Sequence, residues 1–127
     1  MAWINLVTLL ALAEYFVFGV LVGRARVQFG VKAPAIFGHP TFERYFRVQQ
    51  NTLELLIMFI PALWIAAQYW DPTIIAAIGA IYLVGRVLYL QGYVRDPKTR
   101  SIGYGLSLVP TLLLVLAGFV GIVRALI

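Results

Sequence analysis

Four apolar runs, each close to the length of a bilayer crossing, occupy most of this 127-residue chain. A helix that spans the hydrocarbon layer needs about 20 mostly apolar residues. The first run extends roughly from Trp3 to Val22 and is interrupted only by Glu14. The second runs roughly from Leu53 to Trp70, and the third from Thr73 to Val94 with Arg86 inside it. The fourth runs roughly from Ile102 to Val123 and carries no charge. Lipid offers no partners to backbone N–H and C=O groups, so each run must satisfy its own as a helix. The expected fold is all-α and integral to the membrane: a four-transmembrane-helix bundle forming one domain over residues 1–127.

Apolar residues make up 62% of the chain and charged ones 12%, against about a quarter charged in soluble domains. A soluble domain and a disordered chain are both excluded on that ground. The first run lacks a basic n-region, is long, and contains Glu14, so it reads as a span rather than a secretory leader. There is no cysteine. Disulfides, cysteine nucleophiles and thiolate metal sites are therefore ruled out, and any thiol the chemistry needs must arrive on a ligand. With His39 the sole histidine and few acids, no protein metal site is expected.

Charge placement orients the bundle. Of the ten basic residues, eight fall in two segments: Arg24, Arg26, Lys32, Arg44 and Arg47, then Arg95, Lys98 and Arg100. Both segments belong to the same end of a four-span bundle. The positive-inside bias puts that end in the cytoplasm and both termini across the membrane. Anionic headgroups account for much of this charge, and nothing resembles a nucleic-acid module. A first loop over roughly Gly23 to Thr41 is expected from Gly30, Pro34, Gly38 and Pro40. Asp71 followed by Pro72 predicts a tight hairpin, with Asp71 as N-cap and Pro72 at the first helical position. Pro61 and Pro110 each remove a helix donor and are expected to kink their spans. Gly79, Gly85, Gly92, Gly118 and Gly121 allow helices to approach closely.

Two polar faces stand out. At 100° per residue, Glu43, Arg47, Asn51 and Glu54 fall in one arc of a second helix extended back to about Pro40, while Arg44 and Gln49 point elsewhere. Tyr82, Arg86, Tyr89 and Tyr93 share an arc of the third helix. Bland readings exist for each residue. Glu43 and Arg47 suit an i,i+4 pair, Arg86 suits pairing with Glu54 or Glu14, and the tyrosines suit an interfacial belt. Taken together, two polar faces opening toward the same basic loops suit an anionic ligand. Arginine binds carboxylates bidentately, a glutamate takes an amine and an asparagine a peptide group. A small zwitterionic peptide with two carboxylates would use them all, and glutathione has that pattern together with the missing thiol.

The segment Phe42-Glu43-Arg44, with Arg47, Gln49, Asn51 and Glu54 after it, resembles the second-helix motif of the membrane-associated proteins of eicosanoid and glutathione metabolism. A second motif, Tyr89-Leu90-Gln91-Gly92-Tyr93 followed by Arg95 and Arg100, resembles the end of that family's third helix. The likeness covers nearly the whole chain and is strongest to the glutathione-transferase and leukotriene-synthase branch. It implies a homotrimer with sites between neighbouring subunits near the cytoplasmic face of a bacterial inner membrane or endoplasmic reticulum. Glutathione would be held by Arg47, Asn51, Glu54, Tyr89 and Tyr93 of one subunit, with Arg26 and Gln49 reaching in from the neighbour. Arg100 takes the family's catalytic position, stabilising the thiolate that attacks a lipophilic electrophile or a lipid hydroperoxide. Three positions depart from the pattern. Leu55 replaces a tyrosine and removes one expected glutathione contact, while Val27 stands for an arginine and Leu112 for a tryptophan of the leukotriene synthase, which argues against a leukotriene-specific role. Two other readings remain open: a non-catalytic lipid-binding relative, against which Arg47 and Arg100 both speak, and an unrelated small transporter with Glu14 as coupling carboxylate.

Overall fold

A computed structural model describes residues 1–127 as four long helices. They are α1 (Ala2–Phe29), α2 (Pro40–Tyr69), α3 (Pro72–Arg95) and α4 (Ser101–Leu126), with a 3-10 turn over Pro97–Thr99 before α4. All four are long and apolar enough to cross a membrane. At 1.5 Å per residue they reach roughly 36–45 Å, more than the about 30 Å hydrocarbon layer. Helices of that length extend past the hydrocarbon layer, and all the basic residues but Arg86 lie at or near helix ends or in loops.

Local chemistry sets each boundary. Gly30 adopts a left-handed conformation at φ 68° and its N–H closes on the Arg26 carbonyl, ending α1. The first helix thus runs about two turns beyond its apolar run, and the loop is correspondingly shorter than Gly23–Thr41. Gly23 meets no neighbouring atoms, so it carries only the modest helix penalty of a glycine, about 1 kcal/mol, and the helix runs through it. His39 caps α2, accepting the Thr41 N–H on Nδ1 at 3.2 Å, and its ring stacks on Phe29 at 4.0 Å. Asp71 caps α3 by accepting the Thr73 N–H at 2.8 Å, with Pro72 in the first turn, as the hairpin reading expects. Asp71→Ala should cost about 1 kcal/mol of stability, readable as a lower unfolding temperature in detergent. Arg44 donates to the Val94 and Arg95 carbonyls at 3.0 and 3.3 Å. A cation thereby satisfies the negative end of α3 and ties it to the start of α2.

The core lies where the four helices meet, around Ile4, Phe59, Leu63, Tyr82 and Leu114, all fully buried. Phe16, Ile57 and Phe119 turn outward and are more than 60% exposed, so the outer surface of the bundle is apolar. Lipid is as apolar as leucine, so close packing rather than hydrophobic burial holds such helices together. The tightest seam joins α3 to α4. A Cβ on Gly85 would sit 2.6 Å from the Leu106 carbonyl carbon, and one on Gly103 would overlap the backbone nitrogen of Tyr89. Gly79, Gly92, Gly118 and Gly121 also press against neighbours, as expected. Pro61 and Pro110 sit inside unbroken helices.

Candidate active site

At the end of the bundle that carries the basic loops, α2, α3 and the start of α4 enclose a cavity of about 630 Å³. That lies within the range of roughly 300–1,000 Å³ found for small-molecule sites. Its walls are Arg47 and Asn51 from α2, Tyr89 and Tyr93 from α3, Arg100 before α4, and Ser101, Tyr104 and Gly105 from the first turn of α4. The two polar faces seen in the sequence thus turn toward each other.

Each wall residue is positioned by its element. Arg47 is exposed at the rim, one turn from half-buried Asn51. Tyr89 is buried, with its ring centroid 5.5 Å from Tyr93 and 6.1 Å from Tyr104. Arg100 is exposed, and its Nη1 donates to the Pro97 carbonyl at 2.7 Å. This bond anchors one arm of the guanidinium to the loop. Thr99 reinforces the loop by donating from Oγ1 toward the Gly92 and Asp96 carbonyls. No side chain caps the start of α4, and Ser101 and Tyr104 of its first turn line the cavity, so the positive end of a long helix borders it. Guanidinium and helix N-terminus both favour an anion.

Beneath the cavity Arg86 is fully buried. It does not make the carboxylate pairs considered from the sequence. Its Nε donates to Ser107 Oγ at 2.9 Å, and its Nη1 donates to Asn51 Oδ1 at 2.7 Å and Thr52 Oγ1 at 3.2 Å. Its Cζ lies 4.4 Å from the centre of the Tyr89 ring. Arg86 Nη2, Tyr82 Oη and Glu14 Oε1 are buried without a partner. Glu43 accepts the Gly38 N–H at 3.2 Å, which bonds it into its own loop.

Five of the eight residues singled out in the sequence line the cavity: Arg47, Asn51, Tyr89, Tyr93 and Arg100. Three do not. Arg26 donates to the Ala35 carbonyl at 2.6 Å and lies over the Phe42 ring at 4.8 Å. Gln49 lies in a separate groove with Tyr15, Phe16 and Gly19. Both were expected to serve a neighbouring subunit. Glu54 was expected in its own subunit's site, but it is exposed and outside the cavity wall. The α2 wall ends at Asn51, where Arg86 fills the space beneath, and Glu54 lies about one turn further along the helix. Ser101 and Tyr104 were missed. Their signal was their position on the first turn of the fourth span, beside Arg100 and one helical turn apart.

A model of the MAPEG family matches residues 4–120. An uncharacterized protein of Synechocystis sp. is 45% identical over 120 residues, covering 94% of this chain and 88% of its own length. Human microsomal glutathione S-transferase 2 is 40% identical over 119 residues, covering 94% and 81% of the two chains. Bovine leukotriene C4 synthase is 37% identical over 94 residues, covering 74% of this chain and 63% of its own.

Proposed function

The chain belongs to the MAPEG family, and from that premise we propose that it is a membrane glutathione transferase joining glutathione to lipophilic electrophiles. One observation carries this reading: a single cavity collects Arg47, Asn51, Tyr89 and Tyr93 from two helices and sets Arg100 against the open N-terminus of α4. Arg47 would take a carboxylate, Asn51 the peptide, and the tyrosine hydroxyls further acceptor groups. Arg100 and the helix end would stabilise the glutathione thiolate. A free thiol has a pKa of roughly 8.5 and is mostly protonated at neutral pH, whereas only the thiolate is a good nucleophile. The sulfur then attacks the electrophilic carbon of a substrate dissolved in the bilayer, forming the C–S bond and expelling the leaving group. The other contribution is proximity of the two reactants. The same thiolate would attack the peroxide oxygen of a lipid hydroperoxide, breaking the O–O bond so that the lipid alcohol leaves with a proton from solvent, and a second glutathione would reduce the resulting glutathione sulfenic acid to the disulfide with release of water.

Within this proposal the working unit is a homotrimer. Arg26 and Gln49 stand outside the cavity of their own subunit, so a neighbour would receive them, and Glu54 on the outer surface of α2 would border that junction. The cavity would face the cytoplasm, because the basic loops lie at its end of the bundle. A bacterial inner membrane and an endoplasmic reticulum membrane both suit the span lengths. Conjugation of glutathione to a chloronitrobenzene by the detergent-purified protein tests the reading. Turnover well above the uncatalysed rate is expected, and a rate equal to that of empty detergent micelles would sink it.

A further inference from the structure

The bonds around Arg86 settle which way Asn51 faces the cavity. Two hydroxyls beside Arg86 spend their protons elsewhere: Ser107 donates to the Gly103 carbonyl at 2.7 Å, and Thr52 to the Val48 carbonyl at 2.8 Å. Their free lone pairs accept from the guanidinium, which has donors only. Asn51 must likewise turn its oxygen toward Arg86, at 2.7 Å. A flipped amide would set N–H against N–H inside a buried site. The Asn51 NH2 group is thereby left for the cavity that Asn51 lines. The same guanidinium lies over the Tyr89 ring, so one fully buried charge braces side chains from α2, α3 and α4 beneath the cavity.

We propose that Arg86 is a positioning residue that locks Asn51 as a donor, so that the site selects a ligand with a carbonyl or carboxylate oxygen at this point. This rests on the glutathione reading and names the polarity of one of its contacts. Lysine at position 86 would keep the charge but not the planar fork that reaches Ser107 and Asn51 together. In Arg86→Lys, glutathione affinity should fall about tenfold while kcat at saturating glutathione changes less than about twofold. Its effect on binding should vanish in an Asn51→Ala background, because the two act as one unit. Because a lysine at this depth puts folding itself at risk, Asn51→Asp provides a second arm. It keeps an acceptor for Arg86 but gives the cavity no donor, and should also bind glutathione about tenfold more weakly with an undiminished unfolding temperature.

Calorimetric titration with glutathione on the detergent-solubilised protein reads both arms. Wild-type affinity in Asn51→Asp, or additive losses in the double variant, would overturn the positioning role while leaving the transferase reading intact. No binding by the wild type would remove the reading on which the proposal rests.

Discussion

Arg100→Ala is expected to keep glutathione binding within a fewfold of wild type and to lose most of the turnover. A thiol with a pKa of about 8.5 is only roughly 3% ionised at pH 7. Lowering that pKa by about two units, worth some 2.7 kcal/mol, makes most of it thiolate, a gain of about 25-fold. A loss of about 10- to 100-fold at neutral pH follows, the upper part coming from weaker electrostatic support of the reacting sulfur. The sign of the pH dependence is a sharper mark. A thiol pKa lowered by the enzyme leaves the wild-type rate nearly flat from neutral pH upward. The variant's rate should climb through about pH 8.5, where solvent alone ionises the thiol, so its deficit shrinks with rising pH. Rates measured across pH at saturating glutathione check this. A constant ratio between the two proteins would mean that Arg100 does something other than ionise the thiol.

Gly103→Ala is expected to damage the bundle and the site together. The added methyl would overlap the Tyr89 nitrogen and lie 2.5 Å from its Cα. Backbone cannot yield as a flexible side chain can, so α3 and α4 must move apart at their closest seam. Overpacking of this kind costs about 1–3 kcal/mol. The Tyr89–Tyr104 spacing of 6.1 Å and the Arg86 Nε bond to Ser107 Oγ at 2.9 Å both cross that seam. Unfolding temperature, glutathione binding and turnover should all fall. Gly23→Ala is the matched control: it meets nothing within 4 Å and should leave stability unchanged or raised by up to about 1 kcal/mol. If Gly103→Ala were as stable and active as that control, the close α3–α4 approach would not hold in the membrane.

The parts of the molecule readable from its sequence are those that repeat with helical period. Four spans follow from four apolar runs, and the facing arcs of Arg47 with Asn51 and of Tyr89 with Tyr93 follow from 100° per residue. What the pattern does not carry is distance between helices. Charge alone points Arg86 to Glu54 or Glu14, because Ser107 and Thr52 look like ordinary small residues until α2 and α4 are brought beside α3. Gly103 was overlooked although five other glycines were marked for close packing. Its neighbour is the Tyr89 backbone, and no residue type signals a backbone contact. Glu54 shares the angular arc of Arg47 and Asn51, but a helical wheel omits depth, and depth puts it outside the cavity. The shortened first loop shows the converse: Gly23 reads as a breaker, yet one unpacked glycine costs a helix too little to stop it.

On the proposed function, the cavity beside Arg100 binds glutathione and ionises its thiol. Ultraviolet absorbance of the thiolate, recorded as glutathione is titrated into the detergent-solubilised protein at neutral pH, reads binding and ionisation together. A saturable thiolate band is expected with glutathione, absent with S-methyl glutathione and strongly reduced in Arg100→Ala. Glutathione that produces no band with the wild-type protein would contradict the account.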